Sequence, residues 1–424
     1  MENKFGVKPK SLQDKNRRLI LSIVRSMESI TMPELSARIG LSKTTVSKII
    51  ATLLEKRFIV SAGKGESSDE GGKRPELFRF NAERAYAVGV HIAPTRISVA
   101  LADLSGAIID RKNQDIRENE ALDFVVGAIA KSVRGLLVEN GLRPESLIGV
   151  AVGAHGITDI EKGSSLYSPH FPSWGENVEL KRLITEALGL DTVILVDNQI
   201  RFQVFAEHVS GVAKGYRDVV VIEGGEGLVA GIIGDGVIQR GTHRLAGEIG
   251  HMPLDPYDTQ ACACGSRGCF EVLVSSSRVV SRYLADGGKT IAEASLETTI
   301  TPDKLPGRLP AKVHPDLRYI FKAAARGDLK ARSCLDETAA WFARGIANLI
   351  LVVDPQIIVF QGIYAEAGDY FMSRLRDQLT HLAIPNVRKD LIVEYSALGA
   401  DACLIGATGY LIADYFKRNE LWGE

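Results

Sequence analysis

Three of the five cysteines in this 424-residue chain fall within eight positions, as Cys262, Cys264 and Cys269 in ACACGSRGCFE. His251 stands shortly upstream, at the end of AGEIGH. Three thiols and one imidazole suit a tetrahedral zinc ion with no position left open for a substrate, the pattern of a structural site. The thiolates must share a tight loop, and Gly265 and Gly268 let the backbone turn around the ion. Three free buried thiols are the alternative. An odd number of cysteines, most of them bunched, argues against a disulfide framework and points to a reducing cytoplasm. Cys334 and Cys403 sit in helical contexts and are expected in cores.

A different chemistry is concentrated at the N-terminus. Residues 1–84 carry 17 Lys+Arg and 10 Asp+Glu, a net +7, which leaves −8 for the remainder of a chain with net charge −1. A basic head on an acidic body suggests that the head alone meets a polyanion. Leu12, Leu19, Ile20, Ile23 and Val24 recur at helical spacing over 11–27. Thr31 then precedes MPELSARI, a short helix with Pro33 and Glu34 in its first turn. Gly40-Leu41 breaks the chain, and Ser42 can cap KTTVSKIIATLLEKRF, whose apolar side is Val46, Ile49, Ile50, Leu53 and Leu54. This is the helix-turn-helix plan, with Lys43, Thr44, Thr45, Ser47 and Lys48 directed at a DNA major groove. Two short strands, Ile59-Val60 and Leu77 to Phe80, flank a Gly- and Ser-rich hairpin and make a wing. Lys73 and Arg74, between glycines and Pro75, form a basic finger suited to a narrow minor groove.

The body holds a repeat. VGVHIAPTRISVALADLSGAIID (88–110) and VVVIEGGEGLVAGIIGDGVIQ (219–239) share one outline of strand, loop, strand, glycine turn and strand. Two such lobes, each followed by helices, describe an α/β body of actin-like, sugar-kinase or ribonuclease H-like architecture, in which ligands lie between the lobes. At 45% hydrophobic and 24% charged the composition is that of a globular protein. The polar N-terminus lacks the apolar core of a secretory signal, and the run 346–353 is too short to cross a bilayer, so no membrane role is expected.

Six segments carry a resemblance: GGKRPELFRFN before the first body strand, VDN at 196–198, AGEIGH at 246–251, CACGSRGCFE at 262–271, DPQIIVFQG at 354–362 and GADACLIGA at 399–407. By these the chain resembles the ROK family (repressors, open reading frames, kinases) over nearly its full length, in the helix-turn-helix branch. The resemblance implies a head over residues 1–82 and a two-lobed body over 83–424. The lobes are expected at about 83–196 with the C-terminal helix, and 197–400. His251, Cys262, Cys264 and Cys269 are implied as structural zinc ligands. Asn198, Glu248, His251 (through its other ring nitrogen) and Glu271 are implied as sugar contacts; carboxylates suit adjacent hydroxyls as acceptors.

The catalytic parts of the family's kinases are replaced. Their general-base aspartate follows the asparagine, whereas VDNQ places Gln199 there, and an amide takes no proton at neutral pH. The first phosphate loop reads HIAPT (91–95), where Pro94 has no N–H. The second reads GGEGL (224–228), where the Glu226 carboxylate repels phosphate. Gln361-Gly362 stands for the adenosine-side pair of glycines. His170-Phe171-Pro172 replaces the family's Asn-Leu-Pro, and His155 lies near the expected cleft. No catalytic residue is therefore expected. The readings are a DNA-binding regulator of carbohydrate genes, probing operator DNA as a homodimer or dimer of dimers and sensing a sugar or sugar phosphate; an active sugar kinase with an added head; or a regulator controlled by a protein partner.

Overall fold

The computed structural model describes residues 9–65, 74–288, 315–382 and 390–418. The head is built from α1 (Pro9–Arg25), β1 (Ile30–Thr31), α2 (Met32–Ile39), α3 (Lys43–Glu55), β2 (Ile59–Lys64) and β3 (Glu76–Phe80). Thr31 and Glu34 form a reciprocal capping box on α2, with Thr31 N donating to Glu34 Oε2 at 2.8 Å. Gly40, at φ 71°, ends that helix in the left-handed region, and Ser42 caps α3 by accepting from Thr45 N at 3.2 Å. The first helix runs 9–25 where the hydrophobic spacing predicts 11–27. The wing strands pair as expected, and Ile30–Thr31 adds a third, giving the order β1-β3-β2.

The two body repeats fold alike. In the first, β4 (Tyr86–Ala93), β5 (Arg96–Asp103) and β6 (Ile108–Asp115) make an antiparallel meander, followed by α4 (Leu122–Glu139) and β7 (Leu147–Ala154). A hairpin of β8 (Ile157–Asp159) and β9 (Ser164–Tyr167) precedes α5 (Leu180–Leu188), β10 (Ile194–Asn198) and α6 (Gln199–Ser210). The sheet order is β10-β7-β4-β5-β6, with β7 parallel to both β4 and β10. In the second repeat β11 (Val219–Gly224), β12 (Leu228–Gly234) and β13 (Val237–Ile238) form the meander. Helices α7 (Phe270–Val274), α8 (Ser276–Ala285), α9 (Pro315–Ala325) and α10 (Leu329–Val353) lead to β14 (Ile357–Gly362), α11 (Gly368–Leu382) and β15 (Ile392–Tyr395). The order β13-β12-β11-β14-β15 matches that of the first lobe strand for strand. Parallel strands joined by crossover helices must be covered on both faces, which explains the continuous apolar runs LIGVAV and IIVF.

Each lobe has its own core. That of the second is aromatic: Phe342 sits 4.7 Å from Tyr364 and 5.3 Å from Phe360, centroid to centroid. Cys334 and Cys403 are both buried, as the sequence predicts. The last described helix, α12 (Ala402–Lys417), lies against α6 and the first sheet and ends on the head. There Leu411, Ile412 and Tyr415 join Val46, Ile50, Leu53, Phe58 and Phe78 in one apolar cluster. Arg25 stacks over Phe416 at 4.3 Å, and Arg84 Nη1 donates to Tyr415 Oη at 3.1 Å. Among the described residues no helix is long and apolar enough to cross a membrane.

Candidate functional site

The ligand atoms of His251, Cys262, Cys264 and Cys269 all lie within 4.8 Å of one another. Cys264 Sγ is 3.7 Å from Cys269 Sγ, and Cys262 Sγ is 3.5 Å from His251 Nδ1. A tetrahedral ion with Zn–S and Zn–N bonds of about 2.3 and 2.05 Å requires edges of about 3.8 and 3.6 Å. The donor set and its spacing therefore fit such an ion, and 3.7 Å is far outside disulfide bonding. The loop is shaped for it: Cys262 N donates to Ser266 O at 2.9 Å and Leu254 N to Gly268 O at 2.8 Å. At Gly268, φ is 64° and a Cβ would fall 1.7 Å from Asp255 O, so no side chain is tolerated. Arg278 ties the loop to α8 through Asp258 Oδ2 and Gln260 Oε1, both at 2.7 Å. Without an ion, burial and the two neighbouring thiols push Cys269 up to about 12; a bound cation displaces those protons.

The same loop anchors two of the carboxylates. Cys269 precedes α7, whose first turn carries Glu271; its Oε2 accepts from Leu228 N at 3.0 Å. Glu248 leads the short helical turn Ile249–His251, and burial raises its carboxyl above the usual range, opposed by His251 and Arg201. Gly247 lets this segment lie directly on β12, since a Cβ there would fall 1.9 Å from Ala230 O.

Asn198 is only 5% exposed, at the end of β10. Its Oδ1 accepts from Ile200 N at 2.9 Å and its Nδ2 donates to Gly156 O at 2.6 Å, so the amide caps α6 and pins the loop after β7. Gln199, 2% exposed, donates to Glu223 at the end of β11 and accepts from Gln203. Gln203 Nε2 also reaches Glu223 Oε1 at 3.3 Å. One turn further, Glu207 accepts from Gln361 Nε2 at 3.0 Å and from Ser396. Residues 199, 203 and 207 recur every four positions, so one polar stripe of α6 bonds to three strand ends of the second sheet. Glu207 is wholly buried, and burial raises its carboxyl despite these donors.

At the phosphate-loop positions several backbone groups are already engaged. Only Pro94 and Thr95 join β4 to β5. In the second loop Gly225 N bonds to Gly227 O at 2.9 Å, Gly225 O accepts from Ser276 N at 2.9 Å, and Leu228 N is spent on Glu271. Gln361 fills its position with a buried side chain turned toward α6.

Further polar and aromatic residues gather around these positions. Asp197 is fully buried, bound by Arg201 Nη1 at 2.7 Å and by Arg240 Nη2 at 2.8 Å, and Thr158 Oγ1 donates to it at 3.2 Å. His91 stacks on His155 at 5.6 Å, and His155 meets His170 edge-on at 5.1 Å. Burial, then the neighbouring ring, lowers His91 to about 4 and His155 to about 3. In the head, Lys43, Thr44, Ser47, Lys48 and Arg74 are exposed, while Thr45 is half-buried and its Oγ1 lies 2.9 Å from Ser42 Oγ. Lys73 lies outside the described residues.

Comparison with known proteins adds a family. The ROK family model matches residues 87–413, and a winged helix-turn-helix DNA-binding model matches 13–60. The xylose repressor of Caldicellulosiruptor bescii is 25% identical over 96% of this chain and 98% of its own length. The glucokinase of Thermotoga maritima is 28% identical over 76% of this chain and 96% of its own. A crystal structure of a ROK family transcriptional regulator, homologous to the E. coli MLC protein, superposes with a TM-score of 0.77, at 21% identity, over 96% of this chain and 97% of that one.

Proposed function

The chain belongs to the ROK family, and on that premise we propose that it is a DNA-binding transcriptional repressor of carbohydrate genes whose body senses a sugar instead of phosphorylating one. The observation that carries this reading is Gln199, seated where a kinase needs a base and bonded to Glu223 at the end of β11. An amide in that place cannot accept a hydroxyl proton.

The head, assigned to residues 1–82, reads operator DNA. Lys43, Thr44, Ser47 and Lys48 meet base edges and phosphates, Thr45 supports the cap, and Lys73 and Arg74 enter the minor groove. Winged heads bind palindromes in pairs, so the working unit is a homodimer or a dimer of dimers in the cytoplasm. The body is assigned to 83–424, with one lobe of 83–196 plus the C-terminal helix and the other of 197–400.

Zinc is the ion proposed for His251, Cys262, Cys264 and Cys269. Bound there it supplies no reactivity, only a rigid crosslink of the loop. Glu248, His251 through Nε2, and Glu271 then present fixed acceptors and a donor to sugar hydroxyls, with Asn198 closing the site from the end of β10. A ligand that favours one spacing of the lobes shifts the paired heads relative to their half-sites, which changes operator affinity.

A mobility-shift assay on DNA upstream of the gene, with and without sugars, tests this. Specific binding that a sugar relieves supports it; loss of binding at moderate salt with every DNA offered sinks it. A coupled ADP-release assay with hexoses and xylose should read background, and sustained turnover would restore the kinase reading.

A further inference from the structure

His91, Gly153 and Asp197 stand in one row across three adjacent parallel strands, at the carboxyl ends of β4, β7 and β10. Ligands of open α/β sheets bind beyond such ends. His155 follows β7 directly, and the Asn198 bond to Gly156 O ties its loop to the start of α6. The absent Cβ of Gly156 would fall 2.9 Å from Ser168 Cα, so Ser168 and His170 belong to the same corner. Among the described residues two polar atoms here find no partner: His91 Nε2 and Ser168 Oγ, the latter on a side chain only 4% exposed. Orphaned buried polar groups are costly, and a cluster of them at a sheet's carboxyl edge marks a place where something else completes the bonds.

We propose that His91, His155, Ser168 and His170 form the first-lobe wall of the effector site, and that this wall selects an uncharged polyhydroxylated ligand over its phosphate ester. The inference rests on the sugar-sensing reading above and names its ligand class.

Hydroxyls match the wall. Each can donate to an imidazole nitrogen and accept from a serine, and the stacked rings offer an aromatic edge to sugar C–H groups. A phosphate finds nothing comparable. The arginines bordering the cleft are committed: Arg96 to Asp115 at 2.8 Å, Arg201 and Arg240 to Asp197, and Arg244 to Asp159 and Glu161. Pro94 has no amide to offer, and Leu228 N is bonded to Glu271. Glu223, which faces this wall from β11 and acts electrostatically on His91, repels a dianion. The His91 and His155 imidazoles are neutral at pH 7, so they supply no charge either.

The test is calorimetric titration of the full chain with D-xylose, D-glucose and N-acetyl-D-glucosamine, each beside its phosphate ester, followed by operator binding. One free sugar should bind, its ester at least about tenfold more weakly, and Ser168→Ala and His170→Ala should each weaken the free sugar by about tenfold, the worth of one buried hydrogen bond. His170 is exposed, so its variant keeps the test sound should Ser168→Ala misfold. An ester that binds as tightly as its parent sugar overturns the inference and leaves sugar sensing standing. So do folded variants that keep wild-type affinity. If no compound of either class binds while operator DNA does, the sensing reading itself falls, and this inference with it.

Discussion

Arg240 Nη2 lies 2.8 Å from Asp197 Oδ2, and the bond joins the loop after β13 to a carboxylate with no exposure near the end of β10. Arg201 holds the other oxygen at 2.7 Å from the first turn of α6. Breaking a buried pair strands one charge, which costs about 3–5 kcal/mol. Arg240→Met should sit near the low end, since Arg201 and Thr158 remain. Adding Asp197→Asn should cost far less than in the wild-type background, a non-additivity that paired denaturant melts can read. Additive losses would place the two side chains in independent networks.

Restoring a carboxylate at the base position should not restore chemistry. Gln199→Asp sets a second anion against Glu223, and their repulsion loosens the contact of α6 with β11. Phosphate contacts are still missing at Pro94 and at the amide used by Glu271. The expected result is no ADP release above background and a melting temperature lowered by several degrees. Turnover in this variant would show that one residue alone had silenced the site.

Acid should weaken the fold through the histidine stack. Both rings titrate below the usual 6.5 when folded, His91 near 4 and His155 near 3. The unfolded chain therefore takes up protons first. The stability tied to neutral rings is intact above about pH 6.5 and is lost as pH falls from there toward 4 and 3. By pH 5 each ring accounts for up to about 2 kcal/mol, less where the cleft admits water. Melting temperatures from pH 7.5 to 5 should slope downward, and His155→Gln should flatten the slope.

Metal removal should act on the sugar site at a distance. Cys264→Ser leaves three donors, so zinc per chain should fall well below one by elemental analysis. The melting temperature should drop by about 5 °C, the scale of 2 kcal/mol in a chain with lobes of this size. Sugar affinity should fall too, because Glu271 lies two residues from Cys269. A variant that keeps one zinc per chain would refute the ligand set.

What the sequence discloses is local. The head was legible because its signals are short-range: a Thr31–Glu34 cap, a glycine stop, an apolar face on α3. The thiol cluster was legible for the same reason. The duplicated meander showed because strand periodicity repeats. The stripe on α6 did not, since Gln199, Gln203 and Glu207 are ordinary helix polars until their partners are known. Glu207 meets Ser396 across 189 positions. Asp197 was likewise opaque, for Arg240 reaches it from 43 residues away. Asn198 is expected to meet ligands, and its amide also caps α6, accepting from Ile200 N and donating to Gly156 O with bonding capacity left over. The three histidines lie on separate segments, and nothing in their spacing foretold that they would stack.

Arg84 and Tyr415 touch across 331 positions, and this bears on the order of events at the ribosome. The reader of nucleic acid emerges first, yet the flank of its apolar interior is supplied by α12, made only after both lobes. A nascent or prematurely terminated chain therefore presents its recognition helix on an unsupported base. Competence to occupy an operator waits on translation of the sensor, so no fragment lacking the sugar-responsive half holds the promoter as the whole protein does.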